Sequence, residues 1–278
     1  MYDITGAAVQ ELVSAAPSDL VAQLRTAAKR RPSWPFALGV LLLCGLLLGR
    51  WGLLLVALGI PAIIWLALRD KAARSVVVVY DVNDEAATRF AAIVNAMGML
   101  SQVGALRQVI QVGAIETTYQ YKVNAGASSL ISNQPATIHM KGPGVLVTNV
   151  AVPTLATGSR AVHFLPDRIL ISEGKEFADI PYQQVRITTQ PIRIIEDGPL
   201  PPDAHIVDTT WQYVNVSGGP DRRFKNNRQL PVLLWGRLTL TGPQGLHMVW
   251  DASQSRPLDI VAAALTSAAS ARPPVVQP

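Results

Sequence analysis

One stretch constrains this chain more than any other. From Pro35 to Leu68 it runs for 34 residues with a single charge, Arg50. A helix rises 1.5 Å per residue, and about 20 apolar residues cross the hydrocarbon of a bilayer. The run is too long for one upright span and short for two. Its middle reads Gly49-Arg50-Trp51-Gly52, which is a turn with two interfacial side chains. That predicts a transmembrane hairpin over residues 35–68. The alternative is a single tilted span over residues 46–68 with Pro61 as a kink.

The flanks orient the run. Lys29, Arg30 and Arg31 precede it; Arg69, Lys71 and Arg74 follow it. Basic residues favour the cytoplasmic side, and a hairpin puts both clusters there. The expectation is therefore a multi-pass protein of a bacterial inner membrane with its main domain in the cytoplasm. Before the run, Ser18-Asp19 reads as a helix start, followed by Leu20, Leu24 and Ala27 or Ala28 at helical spacing. Residues 1–34 are expected to hold an amphipathic helix, lying on the inner leaflet or packed on the main domain.

Composition matters once the run is set aside. The net charge is +5, with 49% hydrophobic and 15% charged residues. Most of the positive excess sits before or beside the apolar run, so the domain that follows is nearly neutral. That removes the electrostatic footprint expected of a nucleic-acid binder. The one cysteine, Cys44, lies inside the run. Neither an internal disulfide nor a cysteine zinc site is available.

After residue 75 the pattern becomes β-rich. Val76–Tyr80 is a β-branched run, and Asn83 or Asp84 is a candidate helix cap. Phe90, Ile93, Val94, Met97 and Leu100 form a helical stripe. Short strands then alternate with turns: Thr137–Met140, Val145–Val150, Ala161–Leu165, Arg168–Ser172, Glu176–Ile180, Val185–Ile195, Trp211–Val216 and Leu233–Leu240. The expectation is a membrane-anchored α+β protein. Its cytoplasmic domain, residues 75–256, would be a small antiparallel barrel or sandwich with one main helix. Residues 257–278, Ala-rich and then Pro-rich, read as a flexible tail.

The run Ala161-Val162-His163-Phe164-Leu165-Pro166-Asp167-Arg168-Ile169-Leu170-Ile171, followed by Ile180-Pro181-Tyr182-Gln183-Gln184-Val185, resembles bacterial pleckstrin-homology-like (PH-like) or GRAM-like domains over about residues 161–195. Residues 76–250, with Gly219-Pro220-Asp221-Arg222-Arg223-Phe224, are also similar to a family of uncharacterised bacterial membrane-anchored proteins. The resemblance implies a β-built fold and a binding role, and it carries over no catalytic residue.

Motifs for chemistry are sparse. His139, His163, His205 and His247 show no metal-ligand spacing, and no nucleophile elbow or phosphate-binding lysine motif occurs. No cofactor or metal is expected. Lys141-Gly142-Pro143-Gly144 reads as a turn, because proline lacks the N–H that a phosphate cradle uses. The Asp167-Arg168 pair reads as a turn device before an acid and its partner.

The loop around residues 218–231 stands out, with Arg222, Arg223, Lys225 and Arg228 close together beside Asn227 and Phe224. Guanidinium and amide donors suit phosphate or carboxylate. These five polar residues are the candidate anion loop, for a lipid head group, a nucleotide or an acidic protein segment. The competing expectation is a structural loop whose arginines pair with Asp208, Asp221 or Glu196. A second function class is a membrane-associated enzyme on a phosphate-bearing substrate, with Asp167, Asp221 or His205 as acid–base groups.

Overall fold

In a computed structural model the described residues are 2–4, 9, 12, 19–80, 85–115, 117–127 and 129–270. Ser18, Asn83, Asp84 and residues 271–278, where caps and part of a tail were expected, lie outside them. In chain order the elements open with β1 (Tyr2–Asp3), α1 (Asp19–Lys29), α2 (Trp34–Leu47), α3 (Gly52–Ala73), β2 (Val76–Val78) and α4 (Glu85–Leu100). Next come β3 (Leu106–Ala114), α5 (Thr118–Val123), β4 (Ser129–Pro135), β5 (Thr137–His139), β6 (Leu146–Thr148), β7 (Thr154–Thr157), β8 (Arg160–Phe164), β9 (Arg168–Glu173) and β10 (Glu176–Pro181). The last are β11 (Arg186–Ile195), β12 (Ile206–Trp211), β13 (Gln229–Thr241), β14 (His247–Ala252) and α6 (Ser255–Ser270).

The chain divides into two compact units. The smaller comprises residues 17–79 and 143–150. In it α2 and α3 form an antiparallel helical hairpin, reversing through a 3-10 turn at Gly49–Trp51. The hairpin is close because the seam is glycine. A Cβ on Gly52 would sit 1.7 Å from the Gly45 carbonyl oxygen, and one on Gly59 would meet Leu41 at 2.6 Å. The outer surface is apolar: Phe36, Leu46, Leu47, Leu53 and Leu58 are each 77–80% exposed. Among the described residues one helix, Gly52–Ala73, is long and apolar enough to cross a membrane, and α2 is shorter, at 14 residues. The continuous helix over residues 46–68 does not form, because the chain reverses at the glycine pair.

The larger unit is α+β. Five antiparallel strands form one sheet in the order β10-β9-β8-β7-β5. A second sheet runs β1-β3-β14-β13-β11, with β12 also on β13 and β4 also on β3. Among the described residues neither closes into a barrel, one of the two forms expected. The edges stay open because each sheet's outer strands find no partner in the other sheet.

The unit holds two main helices, where one was expected. α4 buries Phe90, Ile93, Met97 and Leu100 of the expected stripe, while Val94 is half-buried. α6 forms where the sequence reads as fraying tail, and Leu258, Val261 and Leu265 on it are fully buried. Pro257 is tolerated because it lies in the first turn, where its missing N–H has no helical partner. α6 packs on α4, β11 and β13. Gly236 of β13 permits the approach, since a Cβ there would stand 2.5 Å from the Ser255 Cα.

Candidate functional site

The loop between β12 and β13 is a folded structure in its own right. Asn215 accepts from the backbone N–H groups of Ser217 and Gly219 at 3.0 and 2.9 Å, which fixes the turn before Pro220. The Asn227 amide donates to the Tyr213 carbonyl at 2.7 Å and accepts from the Tyr213 N–H at 3.0 Å. The Asn227 amide thus engages the Tyr213 backbone with both its oxygen and its nitrogen. Phe224 stacks on Tyr213 with ring centroids 4.0 Å apart.

The arginines divide into two kinds. Arg223 donates through Nε and Nη2 to the buried Asp221 carboxylate, with Nη2 to Oδ2 at 2.5 Å. These side-chain bonds, with the Arg223 backbone N–H, hold the Asp221 carboxyl down at about 2. Arg228 pairs with Asp197 and donates to Gln212. Arg223 thus has a partner that the competing expectation named, and Arg228 is paired with an acid it did not name. Asp221 is one of its three named partners, while Asp197 takes the place of Asp208 or Glu196. Arg222 and Lys225 are exposed and form no ion pair among the described residues. They are the part of the anion loop that remains free to meet a ligand.

Gln212, Leu230 and Asp197, which border this loop, also line a cleft of about 740 Å³ on the second sheet. Its wall includes Ala125 and Gly126, both in the left-handed region (φ +55° and +77°). The Thr210 hydroxyl donates to the Ala125 carbonyl at 2.9 Å and ties that wall to β12. Arg107, Glu196 and Asp251 make part of its lining ionic. Arg107 pairs with Glu196 at 3.0 Å and lies over the Trp235 ring, 4.8 Å from its centroid. Asp251 receives both Nε and Nη2 of Arg237 at 2.7 Å. Burial pushes the Asp251 carboxyl up, and Arg237 and Arg107 oppose that shift. Arg193 and Asp208 are exposed at the same cleft.

Sequence reasoning missed Arg107, Arg237 and Asp251. The signal was present: each is a single charge inside an apolar strand, where only a paired charge is tolerated.

The first sheet carries two further polar networks. His163, buried on β8, touches Thr154 Oγ1 at 2.7 Å through Nδ1 and Ser172 Oγ at 2.8 Å through Nε2. Thr154 donates to the Lys141 carbonyl, so it accepts from Nδ1–H, and Ser172 donates to Nε2. Burial lowers the His163 pKa to about 4, so the ring is neutral. Asp167 is held by the Tyr80 hydroxyl and by Arg168, which also pairs with Asp179. Desolvation and the Asp167 charge both raise the Tyr80 pKa. Tyr182 is fully buried and donates to the Leu165 carbonyl at 2.8 Å.

The basic flanks come together in the smaller unit. The Asp70 carboxylate accepts from the Ser33 and Trp34 backbone N–H groups at 2.6 and 2.9 Å. Lys29, Arg30 and Arg31 therefore lie at the same end of the hairpin as Arg69, Lys71 and Arg74. Arg30 reaches the Ala73 carbonyl, and Arg69 lies over Trp65 at 5.5 Å. Among the described residues no group of three or more His, Cys, Asp or Glu is placed to hold a metal. No protein-family model, curated protein or solved structure matches the chain.

Proposed function

We propose that this is a membrane-anchored, non-enzymatic binding or scaffold protein. Its β-rich domain would recognise an anionic ligand or an acidic protein segment from the cytoplasmic side of a bacterial inner membrane. The observation that carries the reading is the hairpin. Its glycine seam faces inward and its large apolar side chains face outward, the reverse of a water-soluble helix pair. A bilayer is the solvent that makes such a surface stable.

In the first sheet β7-β8-β9-β10 is an antiparallel meander with β5 added beside β7. In the second, β13 lies between β11 and β14, and α6 follows and packs on β11 and β13. The Ile180-Pro181-Tyr182 step on which the resemblance rests links β10 of the first sheet to β11 of the second, and Tyr182 is buried there. The candidate contact groups are Arg222 and Lys225 on the loop and Arg193 in the cleft.

The enzymatic alternative asks for an acid or histidine beside free arginines. Of the acid–base groups named for it, Asp221 is held ionised by Arg223 and Asp167 is taken up by Tyr80 and Arg168 on the other sheet, while His205 is exposed. The test is a titration of full-length protein in phosphatidylcholine nanodiscs with glycerophosphoglycerol and, separately, with a glutamate-rich peptide. Saturable binding to either one, weakened about tenfold in Arg222→Gln/Lys225→Gln, is expected for the loss of two charge-assisted contacts. No saturable binding to either probe, or equal affinity in the variant, contradicts the reading.

A further inference from the structure

Within the smaller unit, β2 and β6 form an isolated two-stranded parallel ribbon, with Val76 beside Leu146 and Val77 beside Val147. Parallel pairs are found almost only where both faces are covered, and two strands alone are marginal in water. One face is covered. Val76 and Leu146 are buried, and α1 packs against β2 with Val21, Leu24 and Ala27 inward. The other face is bare: Val77, Val79 and Val147 are 66%, 74% and 49% exposed. Among the described residues nothing covers these valines, two on the ribbon and Val79 just beyond it.

Position and charge say what covers them. Val77 is only four residues beyond the end of α3, so the chain reaches it within about 13 Å of the helix end. Residues 17–79 and 143–150 contain eight basic residues (Arg25, Lys29, Arg30, Arg31, Arg50, Arg69, Lys71, Arg74) against two acidic ones, Asp19 and Asp70. The rest of the chain has sixteen basic and seventeen acidic residues. The whole positive excess of the protein belongs to the unit that holds the hairpin and the ribbon.

We propose that the outward face of the β2–β6 ribbon docks on the anionic head-group layer of the membrane. Val77, Val79 and Val147 would reach the acyl boundary while the basic residues at the foot of the hairpin meet acidic phospholipid. The inference rests on the membrane reading of the hairpin and adds a second, interfacial contact to it. Apolar insertion and attraction to anionic lipid reinforce one another at such a surface.

The test uses full-length Cys44→Ser protein with one new cysteine at Val77, Val147, Leu58 or Lys175, each carrying an environment-sensitive fluorophore. The protein is reconstituted in phosphatidylcholine vesicles containing a nitroxide at head-group depth, with and without a minority of phosphatidylglycerol. Expected are a blue shift and several-fold stronger quenching at Val77 and Val147 than at Lys175, greater with phosphatidylglycerol and reduced by high salt. Val77 and Val147 matching the water-exposed Lys175 while Leu58 reports hydrocarbon would overturn the ribbon inference and leave the hairpin reading intact. Leu58 matching Lys175 as well would overturn both. A blue shift at Val77 without lipid quenching, rising with protein-to-lipid ratio, would assign the face to a second copy and overturn the inference.

Discussion

The Asp70 carboxylate at the foot of α3 caps the first turn of α2, accepting from the Ser33 N–H at 2.6 Å and from the Ser33 hydroxyl at 3.0 Å. Two residues 37 positions apart thereby close the open end of the hairpin. The cap satisfies N–H donors that a helix start leaves without partners, and its charge suits the positive end of the helix dipole. Asp70→Ala is expected to lower the melting temperature of the detergent-solubilised protein, and Asp70→Asn, which keeps one acceptor, to lower it less. Identical melting curves for all three proteins would contradict the cap.

The other end of the hairpin depends on glycine. Gly52→Ala places a methyl group against the Gly45 backbone, so the helices must move apart. Overpacking of this kind costs about 1–3 kcal/mol. Gly39→Ala meets nothing within 4 Å and serves as the control. Thermal unfolding in detergent checks both, and equal loss in the two variants would refute the close seam.

The buried Arg237–Asp251 pair sets the stability of the cleft floor. Removing one partner of such a pair costs about 3–5 kcal/mol, because the other is left buried and charged. Asp251→Ala should therefore be far more damaging than Arg237→Met/Asp251→Leu, in which no charge remains. Chemical denaturation of both variants reads the difference. A single variant as stable as the double would show that the pair is not coupled.

His163 makes the fold acid-sensitive. Its pKa falls from the ordinary 6.5 to about 4 in the folded state. Between those values the unfolded chain binds the extra proton, so stability is full above about pH 6.5 and declines as pH falls towards 4. The lost stability is roughly 3 kcal/mol at 1.36 kcal/mol per unit. His163→Gln should flatten the pH dependence of the denaturation midpoint in that window. An unchanged slope would place the sensitivity elsewhere.

Local features were legible in the chain and distant pairings were not. The break at Gly49–Gly52 can be read because a charge between glycines is conspicuous in an apolar run. The α4 stripe and the strands from Ala161 to Ile180 can be read from period and turn residues. α6 could not, because Pro257 and the alanines imitate a tail until Leu258, Val261 and Leu265 are seen to bury. Nothing local announces that Val76 pairs with Leu146, seventy positions away, or that Arg228 finds Asp197. The basic loop was conspicuous by composition, and composition cannot show that two of its three arginines are already paired.

The central claim is a membrane hairpin with both ends on one side, and topology tests it most directly. A reporter active only in the periplasm is fused after Arg50 and, in a separate fusion, after Pro278. The account predicts activity after Arg50 and none after Pro278. Activity after Pro278, or none at either position, would contradict it.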